Sequence, residues 1–217
     1  MIYNYSFDFK KSVWNSSDKM NDIDNPKFKV IFLGDAGVGK TSIINRRIHG
    51  SFDFKVEPTV GASHLLSEVL VEQKNVELCL WDTAGQEQYQ SLVPIYIRGA
   101  NVVVIVGSIV DHQSILNLSK WKEFVMNSET QPCIIALVNK IDINEGYLSN
   151  MDDIRNSLSE NFENIFLVSA RMGDGIEEVF FSIASMALKS IRPAPKEVKV
   201  IKSPPNIAEA THQKRCC

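Results

Sequence analysis

Cysteine is scarce in this 217-residue chain, and its four copies form no pattern. Cys79 and Cys133 fall inside apolar runs, and Cys216 and Cys217 are the last two residues. No disulfide framework and no metal-ligand spacing follows from such placement, so a reducing, cytosolic compartment is expected. An apolar run of about 18 residues is also missing, so no helix is expected to span a membrane. The opening stretch, MIYNYSFDFKKSVWN, lacks the uninterrupted apolar core of a secretory signal. No single sign of charge dominates: 23 Lys and Arg stand against 26 Asp and Glu, a net −3. That balance makes no whole-chain case for nucleic acid as a partner. An apolar content of 44% suits one globular domain with room for tails.

What is present centres on Gly34 to Thr41, GDAGVGKT. It follows the apolar run Phe28-Lys29-Val30-Ile31-Phe32-Leu33, read as a buried strand. It precedes Ser42-Ile43-Ile44-Asn45-Arg46-Arg47-Ile48, read as a helix ending at Gly50. A glycine-rich loop of the form G-x-x-x-x-G-K-[ST] between a strand and a helix N-terminus is a phosphate-binding loop. Gly34, Gly37 and Gly39 let the main chain curl until its N–H groups share one concavity. The helix N-terminus adds unpaired donors and partial positive charge. Lys40 supplies a point charge for β- and γ-phosphates, and Thr41 a hydroxyl for Mg²⁺.

From Lys27 onward apolar strands alternate with helical patterns, which argues an α/β fold with a largely parallel sheet. Leu65 to Gln73 reads as one strand and Val76, Leu78 and Leu80 as the next, with Lys74-Asn75 as a hairpin connection. Val102 to Val106 and Cys133 to Val138 read as strands buried on both faces, and Ile165 to Val168 as a shorter one. Three helical stripes follow a period of 3.6. They are Ile115, Leu118, Trp121, Phe124 and Val125; then Met151, Ile154, Leu158 and Phe162; then Ile176, Val179, Phe180, Ile183, Ala184 and Ala187, starting near Asp174 or Gly175. All are read as core. Residues 1–26, polar with scattered aromatics, are read as a flexible extension whose aromatics could dock on the domain or on a partner. Residues 27–192 are read as the globular domain. Prolines at 193, 195, 204 and 205 forbid a continuous helix, so residues 193–217 are read as an extended linker carrying five Lys/Arg against two Glu.

A phosphate loop alone suits kinases, ATPases and GTPases, and three further motifs choose among them. Asn139-Lys140-Ile141-Asp142 follows the strand ending at Val138. The Asp142 carboxylate can accept both the N1–H and the N2 amino hydrogens of guanine, a donor pair that adenine lacks. Trp81-Asp82-Thr83-Ala84-Gly85-Gln86-Glu87 closes another strand, where open α/β sheets bind ligands. Asp82 can hold Mg²⁺ through a water, Gly85 can offer its N–H to a γ-phosphate, and Gln86 can orient an attacking water. Thr59, within Val56-Glu57-Pro58-Thr59-Val60-Gly61, can bring a second hydroxyl to Mg²⁺ when a γ-phosphate holds its loop closed. A kinase would need an acceptor site and a lid, and neither motif is found.

With these four motifs in order the chain resembles the Ras superfamily of small GTPases over residues 27–191, and within it the Rab family. The Rab likeness rests on Val60-Gly61-Ala62, on WDTAGQE with Tyr89, on Tyr96-Ile97-Arg98-Gly99-Ala100 and on the terminal Cys216-Cys217. Ser91-Leu92-Val93-Pro94-Ile95-Tyr96 is most similar to endocytic Rabs. The resemblance implies a phosphate-loop small-GTPase fold: six strands, mostly parallel with one antiparallel, flanked by five helices. It implies GTP and GDP as substrate and product with Mg²⁺ as cofactor. Asp35, Ala36, Gly37, Val38, Gly39, Lys40, Thr41 and Ser42 would line the phosphates. Phe52 would cover one face of the guanine ring, and Asn139, Lys140 and Asp142 would form the base motif. Ser169-Ala170-Arg171 resembles the family's Ser-Ala-Lys loop, whose Ala N–H contacts the guanine oxygen; Arg in place of Lys is expected to matter little. Thr41, Thr59 and, through a water, Asp82 would hold the metal, with Gln86 and Lys40 catalytic.

Several positions depart from the family pattern. Ala36 can crowd the water-positioning residue and slow intrinsic hydrolysis. His64 stands where Rabs place a Phe that packs with Trp81 and Tyr96, as a specificity residue or as a neutral replacement. Val56, Gln88 and Gly107-Ser108 also differ. All are expected on or near surfaces that partners read, away from the guanine and Mg²⁺ contacts. The resemblance implies an exchange factor, a GTPase-activating protein, a GDP-dissociation inhibitor and effectors as partners, with no nucleic acid. Two adjacent cysteines at the end of such a tail match Rab-type double geranylgeranylation rather than a C-a-a-X signal. At about 0.8 kcal/mol per buried CH₂, two lipid chains anchor stably where one is marginal. The protein is then expected to cycle between cytosol and the cytoplasmic face of an endomembrane or vesicle. The competing expectation is a scaffold that holds guanine nucleotide without turnover.

Overall fold

The computed structural model describes residues 25–85, 92–143 and 151–191. Gln86, Tyr89, the terminal cysteines and nearly all of both expected tails lie outside the described residues. The element order is β1 (Lys27–Leu33), α1 (Lys40–His49), β2 (Ala62–Val71), β3 (Lys74–Thr83), α2 (Val93–Ile97), β4 (Val102–Ser108), α3 (His112–Met126), β5 (Cys133–Asn139), α4 (Met151–Ser159), β6 (Ile165–Leu167) and α5 (Ile176–Ile191).

The six strands form one sheet in the order β2-β3-β1-β4-β5-β6. β2 runs antiparallel to β3, and every other neighbouring pair is parallel. The α/β fold expected from the sequence is thus observed. After β1 the chain moves to one side of the sheet for β2 and β3, then crosses to the other for β4. The switch point falls at the carboxyl end of β1, where open α/β sheets place their ligands.

Side chains alternate across the pleat and build a core on each face. Val30 and Phe32 of β1, with Val102, Val104 and Val106 of β4, pack against Ile43 and Ile44 of α1 and Val179, Phe180 and Ile183 of α5. Ile31, Leu33, Val103 and Ile105 point the other way and meet Val93, Ile97, Leu118, Trp121, Ile154 and Leu158. All seven residues of β4 are buried, as a central parallel strand requires.

Three expectations are corrected. The β2–β3 hairpin turns at Glu72-Gln73, not at Lys74-Asn75, because Val71 pairs with Lys74 and Leu70 with Asn75. Both turn residues have positive φ, 48° and 64°, the two-residue geometry that follows the twist of the strands. Phe124 lies off the apolar stripe of α3 and is 38% exposed, while Val125 takes the core position. Gly107 and Ser108 are buried rather than on a partner-facing surface. A Cβ at Gly107 would come within 3.3 Å of the Ser114 carbonyl, so the glycine lets α3 pack closely on β4. Ser108 is 1% exposed, and its N–H donates to the Ser114 hydroxyl at 2.9 Å. Cys79 and Cys133 are half-buried free thiols in β3 and β5.

Candidate functional site

The loop between β1 and α1 turns on glycines held in the left-handed region. Gly34, Gly37 and Gly39 have φ of 136°, 74° and 96°. At two of them neighbours also forbid a side chain. A Cβ on Gly34 would sit 2.1 Å from the Val106 carbonyl oxygen, and one on Gly39 would sit 2.4 Å from the Asn139 amide. α1 opens directly on Gly39 with no side-chain cap, which leaves its first N–H groups for a ligand. Ala36 and Gly37 are exposed at the lip, and Val38 is buried beneath.

Lys40, the first residue of α1, is only 5% exposed. Its Nζ donates to the carbonyls of Gly34 and Asp35, each at 2.8 Å. Burial brings its pKa down to about 8, against the pull of the Asp82 and Asp35 charges. Gly85 closes the other side. A Cβ there would lie 2.4 Å from the Asp35 carbonyl oxygen and 2.5 Å from Lys40 Nζ. The main chain therefore approaches the ammonium as only glycine allows.

β1 and β3 are in register with Phe32 opposite Asp82, which sets Asp82 beside the start of the phosphate loop. Asp82 Oδ2 accepts from Thr41 Oγ1 at 2.7 Å and Thr59 Oγ1 at 3.1 Å, and the two hydroxyls are 2.9 Å apart. Burial raises the Asp82 pKa, offset by those two hydroxyls and by the Lys40 charge. Two hydroxyls and one carboxylate form an oxygen-only donor set that suits magnesium. Asp82 Oδ1, buried with no hydrogen-bond partner, is an open acceptor for a metal-bound water. Lys40, Thr41 and Thr59 line a groove of about 390 Å³ with Ser42, Phe52, Val56 and Lys140, and Asp82 lies behind the two hydroxyls.

A second pocket of about 210 Å³ adjoins it, bordered by Phe52, Asn139, Lys140, Asp142, Ala170 and Arg171. Asp142 Oδ1 accepts from the Ser169 hydroxyl at 2.6 Å, while its Oδ2 is buried without a hydrogen bond. A carboxylate so placed can take two N–H donors side by side. Asn139 spans the two loops: its Nδ2 donates to Val38 O and its Oδ1 accepts from Ala170 N–H, both at 3.0 Å. Lys140 lies along the phosphate loop, Nζ to Gly37 O at 2.8 Å, and burial lowers its pKa.

The structure places the expected site residues that it describes in or directly behind the lining of these two pockets. The carboxylate of Asp35 turns away from the groove toward α3, so only its main chain borders the phosphate loop. Arg171 also brings its side chain to the base pocket. Its guanidinium lies 3.7 Å from Asp142 and 5.5 Å from the ring centre of Phe54. Phe54 in turn meets Phe52 edge to face, with centroids 5.0 Å apart. Phe54 carries no signal in the sequence, because an aromatic in a loop has no periodicity to mark it. Arg46 carries none either. Its guanidinium joins the carbonyls of Ala170, Arg171 and Gly50, tying the end of α1 to the base loop. At the sheet edge His64 stacks on Trp81 at 5.7 Å, and Trp81 meets Tyr96 at 6.5 Å, the packing expected of a Phe at that position.

Phosphate binding requires Lys40 charged, yet in the free protein it sheds its proton above about pH 8. Binding of GDP at pH 9 should then take up about one proton, and affinity should fall about tenfold between pH 7 and pH 9. Calorimetric titration in two buffers of different ionisation enthalpy measures both. An affinity flat across that range would show that Lys40 keeps its charge throughout.

A family model described as the Ras family matches residues 29–189 of the chain. The match runs from within β1 to within α5 and takes in the phosphate loop, Thr59, Asp82, Asn139 to Asp142 and Ser169 to Arg171. The chain therefore belongs to the Ras family of small GTPases, nucleotide-binding switches that act with guanine nucleotide and Mg²⁺.

Proposed function

We propose that this GTPase is of the Rab type: it hydrolyses GTP to GDP and phosphate, and in its GTP form recruits effectors to a vesicle membrane. The observation that carries the nucleotide assignment is the buried Oδ2 of Asp142, without a hydrogen bond, in a pocket adjoining the Lys40, Thr41, Thr59 and Asp82 cluster. The Rab-type role is supported by Val60-Gly61-Ala62, by WDTAGQE, by the contact of Trp81 with His64 and Tyr96, and by the terminal cysteine pair.

The main-chain N–H groups from Asp35 to Lys40 cradle the phosphates, with Lys40 set against developing negative charge. The hydroxyls of Thr41 and Thr59 and, through a water, Asp82 would hold magnesium. When bound, magnesium would supply charge neutralisation at the phosphate oxygens, beside that of Lys40 and the main-chain donors. Phe52 covers a face of the base, Asp142 takes its N–H edge, and Asn139 and Lys140 keep base loop and phosphate loop together. Gly85 donates its N–H to the γ-phosphate, and Gln86 orients the attacking water. Loss of the γ-phosphate frees Thr59 and Gly85, loosening the segments that carry them and ending effector binding.

Asp142→Asn replaces one acceptor with an N–H donor, which suits the C2 carbonyl of xanthine and not the amino group of guanine. GDP affinity should fall by about a hundredfold or more while affinity for xanthosine diphosphate rises. Equal affinity for both bases in wild type would refute the base assignment. Gln86→Leu should slow single-turnover phosphate release at least about tenfold. Release as fast as wild type would leave a nucleotide-holding scaffold as the better description. In cells, the intact chain should colocalise with one endomembrane marker, and a chain lacking Cys216 and Cys217 should be diffuse. A truncated chain still on that membrane would remove lipidation from the account.

A further inference from the structure

Asp35 sits in the phosphate loop, but its carboxylate belongs to α3. Oδ2 accepts from Asn117 Nδ2 at 2.7 Å and Oδ1 from Trp121 Nε1 at 2.8 Å. The two donors are four residues apart on the helix and so lie on one face. Trp121 is itself 7% exposed and packed in the core beneath α3, so its N–H is held in a fixed direction.

The main chain of Asp35 faces the other way. Its carbonyl is one of the two that receive the Lys40 ammonium. The same oxygen is the atom that a Cβ on Gly85 would meet first, at 2.4 Å. One residue is thus gripped by its side chain from α3 while its carbonyl sets the resting place of the phosphate-binding lysine. The carboxylate also gains by being held there. Freed from α3, it could swing toward the groove, where a negative charge opposes a polyphosphate.

We propose that Asn117 and Trp121 are positioning residues for the phosphate site: through the Asp35 carboxylate, α3 sets the Lys40 ammonium and so how tightly a guanine nucleotide's phosphates are held. The proposal rests on the GTPase reading and adds to it a helix that contributes no residue to the groove's described lining. It also makes the position of α3 a determinant of nucleotide release.

The test is the rate at which the full-length protein releases a fluorescent GDP analogue in excess Mg²⁺. Asn117→Asp sets two carboxylates against each other and should speed release about tenfold or more. Adding Asp35→Asn to it restores an amide facing a carboxylate with the roles exchanged, and the new amide oxygen still accepts from Trp121. That double variant should return to within about threefold of wild type. Trp121→Phe keeps a buried ring and removes only the N–H; it should speed release about threefold. In ¹⁵N spectra the Trp121 indole resonance should shift in Asp35→Ala and stay near its wild-type place in the double variant. A double variant no slower than Asn117→Asp, or single variants within about twofold of wild type, would overturn the proposal. If Asn117→Asp does not fold, the double variant and Trp121→Phe decide by the same limits. Wild type that retains no guanine nucleotide would instead fail the GTPase reading, a result seen before any variant is compared.

Discussion

A lysine ammonium buried under a curled main chain is the constraint on which the site depends. Taking Lys40 out of water is costly, and two carbonyls together with the Asp35 and Asp82 charges only partly offset that cost, as its lowered pKa records. The residues around it follow from the same demand. Gly34 is wedged against Val106, Gly39 against Asn139 and Gly85 against the Asp35 carbonyl, so each close approach needs a residue without a side chain. Asp82 shares the predicament with opposite sign, buried and with one oxygen unmatched. A polyphosphate with its magnesium ion answers both at once: anionic oxygens for the lysine, and a hydrated cation for the carboxylate.

The groove is held as one unit by side chains that do other work than touching a ligand. Asn139 joins the Val38 carbonyl to the Ala170 N–H, Lys140 lies along the Gly37 carbonyl, and Arg46 closes the end of α1 onto the Ala170 loop. Base pocket and phosphate groove therefore cannot move independently without breaking buried hydrogen bonds. α3 joins this set through Asp35. The Thr59 loop is the contrast. Thr59 itself is tied to the cluster by hydroxyl contacts with Thr41 and Asp82, and its neighbours Phe54 and Val60 are 77% and 81% exposed. A segment so lightly held is suited to answer the presence or loss of one phosphate.

The strands and helices were legible because a parallel sheet covered on both faces leaves long apolar runs, and helices leave a 3.6-residue stripe. The hairpin was misplaced by two residues because Glu72 and Gln73 adopt positive φ without a glycine or asparagine to announce it. Phe124 was assigned to the core because periodicity gives a stripe but not its width. Gly107 and Ser108 were assigned to the surface because only the packing of α3 shows that they are covered.

Sequence alone determined which side chains could meet a nucleotide: GDAGVGKT, Thr59, Asp82 and Asn139 to Asp142 can be read without coordinates because phosphate, magnesium and guanine each demand particular atoms at short range. Tertiary structure alone decided what those atoms lean on. Asp35 turning to Asn117 and Trp121, Arg46 reaching the Ala170 loop, and Arg171 lying over Phe54 join residues between 82 and 124 positions apart, or pair side chains across loops. Such partners leave no local spacing to read, because their meeting depends on which strand ends the sheet order brings side by side.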